Sequence, residues 1–344
     1  YIKLKKIFMN KSYIKVSVIV PTYKRANLVC LTLDSLLEQD FPKDQFEVIV
    51  VDNNSPDNTT EVIDSYFENH EGEINIRYVK EIRPGDGYAR NTGAALAKGK
   101  YLFFCDDDSL FDKNWISCVV ELFELYPNVG VIGTRILIKW DKEPPLWIKN
   151  YEYLLAKSTF GDAGYIIKSQ GFYIANCSLA IPRVLFYKVG GNNPGQIGDW
   201  LVGNAEVGLC QKVMKLGVPM AFTDDTCMWH LQQRDKNGTY KDILRRLKNV
   251  AISQAYSSAI VKGELSYRSI LRSIYKILRA ITRFNKNQIR TTWFNYIVNK
   301  TYNQYLDKYQ HDTSLINRAK STDHNLDENY IAPEPTLSIE YQHI

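Results

Sequence analysis

Apolar runs typical of strands alternate with helical segments over the first 134 residues, and this pattern restricts the fold more than any other feature. Residues 16–20 and 46–51 are continuous runs rich in valine and isoleucine, as in strands that are buried on both faces. Similar runs occupy residues 74–79, 101–105 and 129–134, and helical spacing of apolar residues recurs over residues 28–39, 60–68, 87–97 and 112–126. The alternation predicts an α/β fold with a mostly parallel sheet and helices on both of its faces.

The composition is that of a globular protein. Of the 344 residues, 45% are hydrophobic and 24% are charged, which excludes extensive disorder. We find no uncharged apolar run of about 18 residues and no secretory signal pattern, so we expect no membrane-spanning helix. The six cysteines are widely spaced, which favours free thiols over a zinc site or a disulfide framework and predicts a cytoplasmic location.

Changes in pattern along the chain predict four segments. Residues 1–13 form an N-terminal extension, and residues 14–235 form the main α/β domain, with halves at about 14–110 and 111–235. Residues 236–310 form a basic helical region, and residues 311–344 form a polar, loosely ordered tail.

Polar side chains follow the predicted strands, where the carboxyl ends of parallel strands meet at one edge of the sheet. Residues 21–25 follow the first strand, Asp52 ends the second, residues 83–87 follow the third, and three consecutive aspartates at 106–108 follow the fourth. Ligands bind at such edges, so we expect these residues to line one cleft.

The run Asp106-Asp107-Asp108 predicts a cation site. Three adjacent carboxylates repel one another unless a cation or hydrogen-bond donors neutralise them. In an extended segment Asp106 and Asp108 point to the same side, and oxygen ligands suit Mg²⁺ or Mn²⁺. The alternative is a solvated acidic turn that caps the next helix.

Four motifs in order resemble those of the family 2 nucleotide-sugar glycosyltransferases, whose fold is called GT-A. They are SVIVPTYKR at 17–25, VDNNSPDNT at 51–59, RPGDGYARNTG at 83–93 and FCDDD at 104–108. The resemblance extends over about residues 14–235, and it implies that this segment is the catalytic domain.

The resemblance implies a set of donor-binding residues. The nucleotide-sugar would contact Pro21, Thr22, Tyr23, Arg25, Asp52, Arg83, Arg90, Asn91, Asp106 and Asp107. Asp108 and His230 would hold the metal, Mn²⁺ or Mg²⁺. Other roles are open for three of these residues: core packing for Tyr23, a helix-surface ion pair for Arg90 and a partly buried structural role for His230.

The resemblance also assigns the acceptor side. Asn176 would lie near the cleft, and Glu206 in the segment GNAEVGLCQK (203–212) would be the catalytic base. The family usually has an aspartate at this position with another acid before it, whereas this chain has Ala205 before Glu206. Asp199 is a nearby alternative for the base.

The function implied is that of an inverting, metal-dependent glycosyltransferase. It would move a sugar from a nucleotide-sugar donor, which the family implies is a UDP-sugar, to a hydroxyl of a glycan or lipid-linked saccharide in surface polysaccharide assembly. The alternative is a non-catalytic nucleotide-sugar-binding protein of the same fold. A nicotinamide dehydrogenase is disfavoured because the loop after the first strand, PTYKRA, has no glycine.

The region from 240 to 310 is strongly basic. It holds fourteen lysines and arginines against three acidic residues, whereas the whole chain carries only +5. Apolar residues recur at helical spacing over 267–284, with arginines and a lysine on another face. This helix either packs on the main domain with a solvated basic side or contacts an anionic membrane surface, at the inner face of the cell membrane. No nucleic-acid-binding module accompanies the charge, so we expect no nucleic acid partner.

Overall fold

The computed structural model describes residues 13–70, 72, 75–159, 165–168, 173–192, 196–197, 200–201, 205–314, 317 and 337–341. The strands are β1 (Val16–Thr22), β2 (Phe46–Asp52), β3 (Asn75–Glu81), β4 (Tyr101–Cys105), β5 (Ser109–Phe111), β6 (Val131–Trp140), β7 (Tyr165–Lys168), β8 (Ser178–Pro182), β9 (Gln196–Ile197), β10 (Trp200–Leu201), β11 (Met220–Gln232) and β12 (Leu337–Tyr341). The helices are α1 (Ala26–Leu37), α2 (Thr59–Asn69), α3 (Asp86–Leu96), α4 (Trp115–Leu125), α5 (Leu146–Lys149), α6 (Arg183–Lys188), α7 (Ala205–Lys215), α8 (Arg234–Asn237), α9 (Tyr240–Tyr256), α10 (Ile270–Thr282) and α11 (Lys286–His311). The predicted alternation of strands and helices is present through β6.

One large sheet carries the fold, in the order β12-β3-β2-β1-β4-β8-β6-β11-β5, and β7 also pairs with β11. Strands β3, β2, β1 and β4 are parallel to one another. Strand β8 runs antiparallel to both of its neighbours, β4 and β6. The sheet is therefore parallel in its N-terminal half, as predicted, and mixed overall.

The two faces of the sheet are covered by different helices, because successive residues of a strand point to opposite faces. From β1, Val18 and Val20 join a core with Leu33 of α1 and Ile116 of α4. On the opposite face, Ile19 joins a core with residues of α3, α6 and α7, among them Ala89, Phe186 and Leu209. This packing holds the carboxyl end of β1 against the first turns of α3.

Helix α3 lies close to β1 because Gly93 has no side chain. A Cβ atom added at Gly93 would lie 2.5 Å from Cγ2 of Ile19, a residue that is fully buried in β1. Isoleucine is stiff at χ1 within a strand, so it has little freedom to move away. The close approach fixes the position of α3, which carries Asp86 and Arg90.

We predict that Gly93→Ala lowers the free energy of unfolding by about 1–3 kcal/mol, because overpacking outweighs the higher helix propensity of alanine. Urea denaturation measures the change. Ala95→Ser, on the exposed side of the same helix, should change stability by less than about 0.5 kcal/mol. Equal stability of Gly93→Ala and the wild type would show that α3 moves away from β1 without cost.

Helices α9, α10 and α11 form the predicted C-terminal helical region. Aromatic and aliphatic side chains join α9 to α11, among them Tyr256, Tyr302 and Leu306. A second cluster joins these helices to the main domain. It includes Phe294 of α11, Ile148 of α5 and Ile243 of α9. Among the helices that the structure describes, none combines the length and apolarity needed to cross a bilayer.

The expected loosely ordered tail contains a strand that the sequence did not indicate. Residues 337–341 form β12, which pairs antiparallel with β3 at the edge of the sheet. The free edge of β3 offers unpaired backbone groups, and this pairing uses them. The prediction of a tail without regular structure over 311–344 is therefore wrong for these five residues.

Candidate functional site

The three aspartates after β4 lie where the sheet topology predicts them, beside the carboxyl end of β1. Because β1 and β4 are parallel neighbours, the loops that follow them adjoin. The Thr22 hydroxyl donates a hydrogen bond to Oδ2 of Asp107 at 2.7 Å. This bond joins the end of β1 directly to the acidic run.

Arg25 is a counter-ion for two of the carboxylates. Its Nη1 atom lies 2.9 Å from Oδ1 of Asp107 and 2.7 Å from Oδ2 of Asp108. Burial disfavours the charged carboxylate and raises the pKa of Asp107 to about 6, against the attraction of Arg25 and the Thr22 hydrogen bond. Asp107 thus holds the Arg25 guanidinium in position beside the acidic run.

Arg90 supports Asp106 from inside the protein. Its guanidinium is buried, donates from Nη2 to Oδ1 of Asp106 and from Nε to Oδ2 of Asp86, and also contacts the Cys105 carbonyl. Despite burial, the charges of Asp86 and Asp106 raise the pKa of Arg90 above its ordinary value. Arg90 is therefore an internal ion-pair residue, and neither a surface pair nor, in this structure, part of the cleft wall.

His230 reaches Asp108 from β11. His230 is the register partner of Ser109 in the antiparallel pairing of β11 with β5, so the strand that follows the acidic run brings the imidazole to it. Its Nε2 atom lies 3.1 Å from Oδ1 of Asp108, and its Nδ1 atom lies 2.8 Å from the carbonyl oxygen of Leu155. Since a carbonyl only accepts hydrogen bonds, Nδ1 carries a proton and Nε2 faces the carboxylates.

The pKa values of this pair are shifted in opposite directions. Burial alone would raise the pKa of Asp108, but the hydrogen bond and charge of His230, together with Arg25, lower it. Burial alone would lower the pKa of His230, but Asp108 raises it. Both shifts favour the charged forms, a carboxylate on Asp108 and an imidazolium on His230.

Asp106, Asp108 and His230 could hold a metal ion together. One donor atom from each lies within 4.8 Å of the others. The bond from Nδ1 of His230 to a backbone carbonyl is the support that metal-ligating histidines usually have. Two carboxylates and one imidazole suit Mn²⁺ or Mg²⁺ better than a sulfur-preferring metal.

A cleft of about 810 Å³ opens beside these carboxylates. Six of its lining residues were predicted as donor-binding residues: Pro21, Thr22, Tyr23, Arg25, Asp106 and Asp107. The Tyr23 ring is half exposed, which excludes core packing for it. Pro84, Gly85 and Asp86, from the predicted segment 83–87, also line the cleft. The other lining residues were not named as site residues from the sequence, namely Asn53, Asn54, Ile82 and Ala89.

Two of the predicted donor contacts lie behind the wall of the cleft. Asp52 is fully buried, and its carboxylate accepts hydrogen bonds from the Tyr78 hydroxyl at 2.7 Å and the Ser55 amide at 2.9 Å. Arg83 is bound to Glu81 through both Nε and Nη2. Neither residue is among those that line the cleft.

Asn53 forms the wall in place of Asp52. Its Nδ2 donates to the carbonyl oxygens of Glu81 and Arg83, and its Oδ1 accepts from the Gly85 amide. The sequence indicated this part of the cleft, since Asn53 directly follows Asp52. The pattern alone does not tell which of the two adjacent polar side chains lines the cleft and which is buried in the protein.

Asn91, which was predicted as a donor contact, is buried and paired with the backbone of Asn192, so it fastens the turn after α6 and does not line the cleft.

The residues predicted for the acceptor side and for the catalytic base are only partly described. Asn176 is buried next to the Arg90 guanidinium, and within the described chain its side-chain amide has no hydrogen-bond partner. Glu206 lies in the first turn of α7, and Asp199 lies outside the described residues.

We predict that Arg90→Lys lowers the free energy of unfolding by about 2 kcal/mol, because a lysine cannot reach Asp86, Asp106 and the Cys105 carbonyl together. The figure allows for the partial exposure of both carboxylates. Chemical denaturation gives the value. Arg245→Lys on α9 is the control: the Arg245 guanidinium is mostly exposed, and its buried partner Asp242 is also bound by Arg246, so stability should stay within about 0.5 kcal/mol of the wild type. A similar small change for Arg90→Lys would contradict the supporting role of Arg90.

The chain is similar in sequence to known proteins. The sequence model of glycosyl transferase family 2 matches residues 17–187, from β1 to α6. A poly(ribitol-phosphate) beta-N-acetylglucosaminyltransferase, TarS of Staphylococcus aureus, is 36% identical over 99 residues, which are 29% of this chain and 17% of TarS. The match thus spans about a sixth of that relative's length.

Solved structures share the fold over most of the chain. The mannosyltransferase PcManGT from Pyrobaculum calidifontis, in complex with GDP-Man and Mn²⁺, has a TM-score of 0.58 at 20% identity and covers 87% of this chain and 88% of its own. TarS 1–349 of S. aureus in complex with UDP-GlcNAc has a TM-score of 0.50 at 17% identity, with 90% and 88% covered. The predicted GT-A fold, with its C-terminal helices, is confirmed.

Proposed function

The chain belongs to glycosyl transferase family 2, and we propose that it moves a sugar from a nucleotide-sugar donor to a hydroxyl of a glycan or lipid-linked saccharide. The observation that carries the proposal is the meeting of Asp106, Asp108 and His230 beside a cleft of about 810 Å³. A cleft of this size matches a ligand as large as a nucleotide-sugar. The resulting glycan would belong to a cell-surface polysaccharide, as the name of the relative TarS suggests.

The donor would lie along the wall from Pro21 to Arg25. The half-exposed Tyr23 ring offers a flat apolar surface for the base or sugar. Arg25 lines the cleft while Asp107 holds its guanidinium, so its positive charge would lie near the diphosphate of a bound donor. We propose UDP as the nucleotide, since a structural neighbour binds UDP-GlcNAc, and we keep GDP as the alternative because another binds GDP-Man.

Asp106, Asp108 and His230 would hold the divalent cation, which we propose is Mn²⁺ or Mg²⁺. Their donor atoms are close enough together, and Nδ1 of His230 is bonded to Leu155, so Nε2 would be the ligand atom once its proton is released. When bound, the cation would neutralise charge on the departing diphosphate. Arg90 would keep the Asp106 carboxylate in place while the diphosphate departs.

Glu206 would be the general base that removes the proton from the acceptor hydroxyl. The packing of α7 fixes its backbone: Cys210, one turn after Glu206, is buried, and its thiol lies 3.8 Å from the carbonyl oxygen of Ile174. A carboxylate within about 3 Å of a hydroxyl contributes roughly 10²–10⁴ in rate. With a single base and no covalent nucleophile, the sugar would be transferred with inversion at the anomeric carbon.

We also propose that the chain works in a reducing compartment such as the cytoplasm. None of the six cysteines forms a disulfide among the residues that the structure describes, and four of them are buried. Buried thiols of this kind pack as small apolar side chains, and several cysteines without disulfides are typical of proteins in a reducing compartment.

We predict that Asp108→Asn lowers the rate of sugar transfer by about 10²–10³, because it removes a ligand and the partner of His230. Electron paramagnetic resonance of added Mn²⁺ should show weaker binding by the same variant. Asp235→Asn, at an exposed aspartate on α8, is the control and should leave both readouts unchanged. Undiminished transfer by Asp108→Asn would exclude its metal role.

We predict that a nucleoside diphosphate raises the melting temperature strongly only when Mn²⁺ or Mg²⁺ is present. A ligand at a hundred times its dissociation constant stabilises the native state by about 2.7 kcal/mol. A thermal-shift series with UDP, GDP and ADP, each with metal and with a chelator, would also rank the nucleotides. Equal shifts in metal and in chelator would contradict the proposed site.

The same series separates an enzyme from a binding protein of this fold. Metal-dependent stabilisation by a nucleotide-sugar, together with its hydrolysis or transfer, supports the enzyme. Stabilisation without any turnover over a broad panel of sugars and acceptors would favour the non-catalytic alternative.

A further inference from the structure

Helix α10 turns its apolar residues toward solvent. Leu271 is 81% exposed, Leu278 is 58% exposed, and Ile274 and Ile281 are also exposed. The buried residues of this helix are Ser273 and Ala280, which are small. A helix at the surface of a globular protein normally does the opposite, with its apolar stripe against the core.

The exposed residues form one continuous face. At about 100° per residue, Leu271 and Leu278 lie about 160° around the helix from the buried pair Ser273 and Ala280. Ile274 and Ile281 extend the apolar face on one side. We call the face formed by Leu271, Ile274, Leu278 and Ile281 the apolar face of α10.

A cationic strip borders the apolar face on its other side. Arg272, Lys276, Arg279 and Arg283 fall within an arc of about 60° between the apolar face and the packed side of the helix. Helix α10 contains no acidic residue, and over residues 262–290 eight lysines and arginines stand against one glutamate. An apolar face next to a strip of one charge is the pattern of a helix that lies in the surface of an anionic membrane.

Phe284 adds an independent observation. It follows the C-terminal end of α10 with φ of 50°, a conformation that glycine usually adopts at this point of a helix, and its side chain is 89% exposed. The fold thus presents a large aromatic ring to solvent where the backbone favours glycine. Aromatic rings are enriched at the boundary between lipid headgroups and acyl chains.

The apolar face is held firmly to the rest of the protein. The Asn299 side chain of α11 donates a hydrogen bond to the Ser273 hydroxyl at 3.0 Å. Before the helix begins, the Arg268 guanidinium lies 3.8 Å from the centre of the Tyr302 ring, in the core shared by α9 and α11. Docking of α10 on a surface would therefore orient the main domain as well.

We propose that α10 docks the protein on an anionic phospholipid bilayer. Its apolar face and Phe284 would enter the boundary between headgroups and acyl chains, and the cationic strip would meet lipid phosphates. A second copy of the chain is a poorer occupant, because it would bring an identical cationic strip against the first. The proposal uses no residue of the cleft and stands independently of the proposed function.

Vesicle co-sedimentation of the full chain tests this inference. We expect binding to phosphatidylcholine vesicles that contain about one-third phosphatidylglycerol, weaker binding as salt rises, and little binding to phosphatidylcholine alone. The double variant Leu271→Ser/Leu278→Ser should lower the partition coefficient by about tenfold or more, since both side chains are exposed and their loss should not impair folding. The double variant Arg272→Gln/Arg279→Gln should lower it by about tenfold at low salt.

Matched controls come from the main domain. Leu146→Ser/Val184→Ser removes two residues that are 80% and 78% exposed, and Lys113→Gln removes an exposed cation, so neither should change vesicle binding. Absence of binding to anionic vesicles at low salt would overturn the proposal. It would also be overturned if sedimentation velocity showed a dimer that Leu271→Ser/Leu278→Ser dissociates, because the apolar face would then join two copies.

Discussion

The structure depends most on how three adjacent carboxylates are kept together at the end of β4. Each has a cationic partner from a different part of the chain: Arg90 for Asp106, Arg25 for Asp107 and His230 for Asp108. Without these partners, repulsion between buried like charges would force the run apart or leave the carboxylates protonated. The loop after β1, helix α3 and strand β11 therefore converge on one point for an electrostatic reason.

That convergence explains why a small number of motifs predicted the fold. Runs such as residues 16–20 and 101–105 are apolar on both faces, which is typical of central parallel strands, and the acidic run at the end of β4 directed attention to the correct edge of the sheet. Pro21 and Thr22 end β1, and Tyr23 and Arg25 follow it directly, so their location in the cleft could be predicted from topology alone.

The features that the sequence did not predict depend on contacts between residues that are distant in the chain. Asp52 turned inward because Tyr78 of the neighbouring strand offers it a hydroxyl, and no local pattern reveals that pair. Arg90 and Asn91 are both buried in α3, where one holds Asp106 and the other holds the turn at Asn192. The antiparallel strand β8 and the edge strand β12 likewise come from pairings across the chain.

The side chain of Asn53 makes three hydrogen bonds to backbone groups of other residues, and these bonds have a consequence for binding. Because its side-chain amide is hydrogen-bonded to the carbonyl oxygens of Glu81 and Arg83 and to the Gly85 amide, the segments after β2 and β3 are fixed to each other along this wall of the cleft. A molecule that enters need not order this wall, and little conformational entropy is lost there on association. A flexible, multiply charged molecule can then bind tightly even though the surface consists largely of loops.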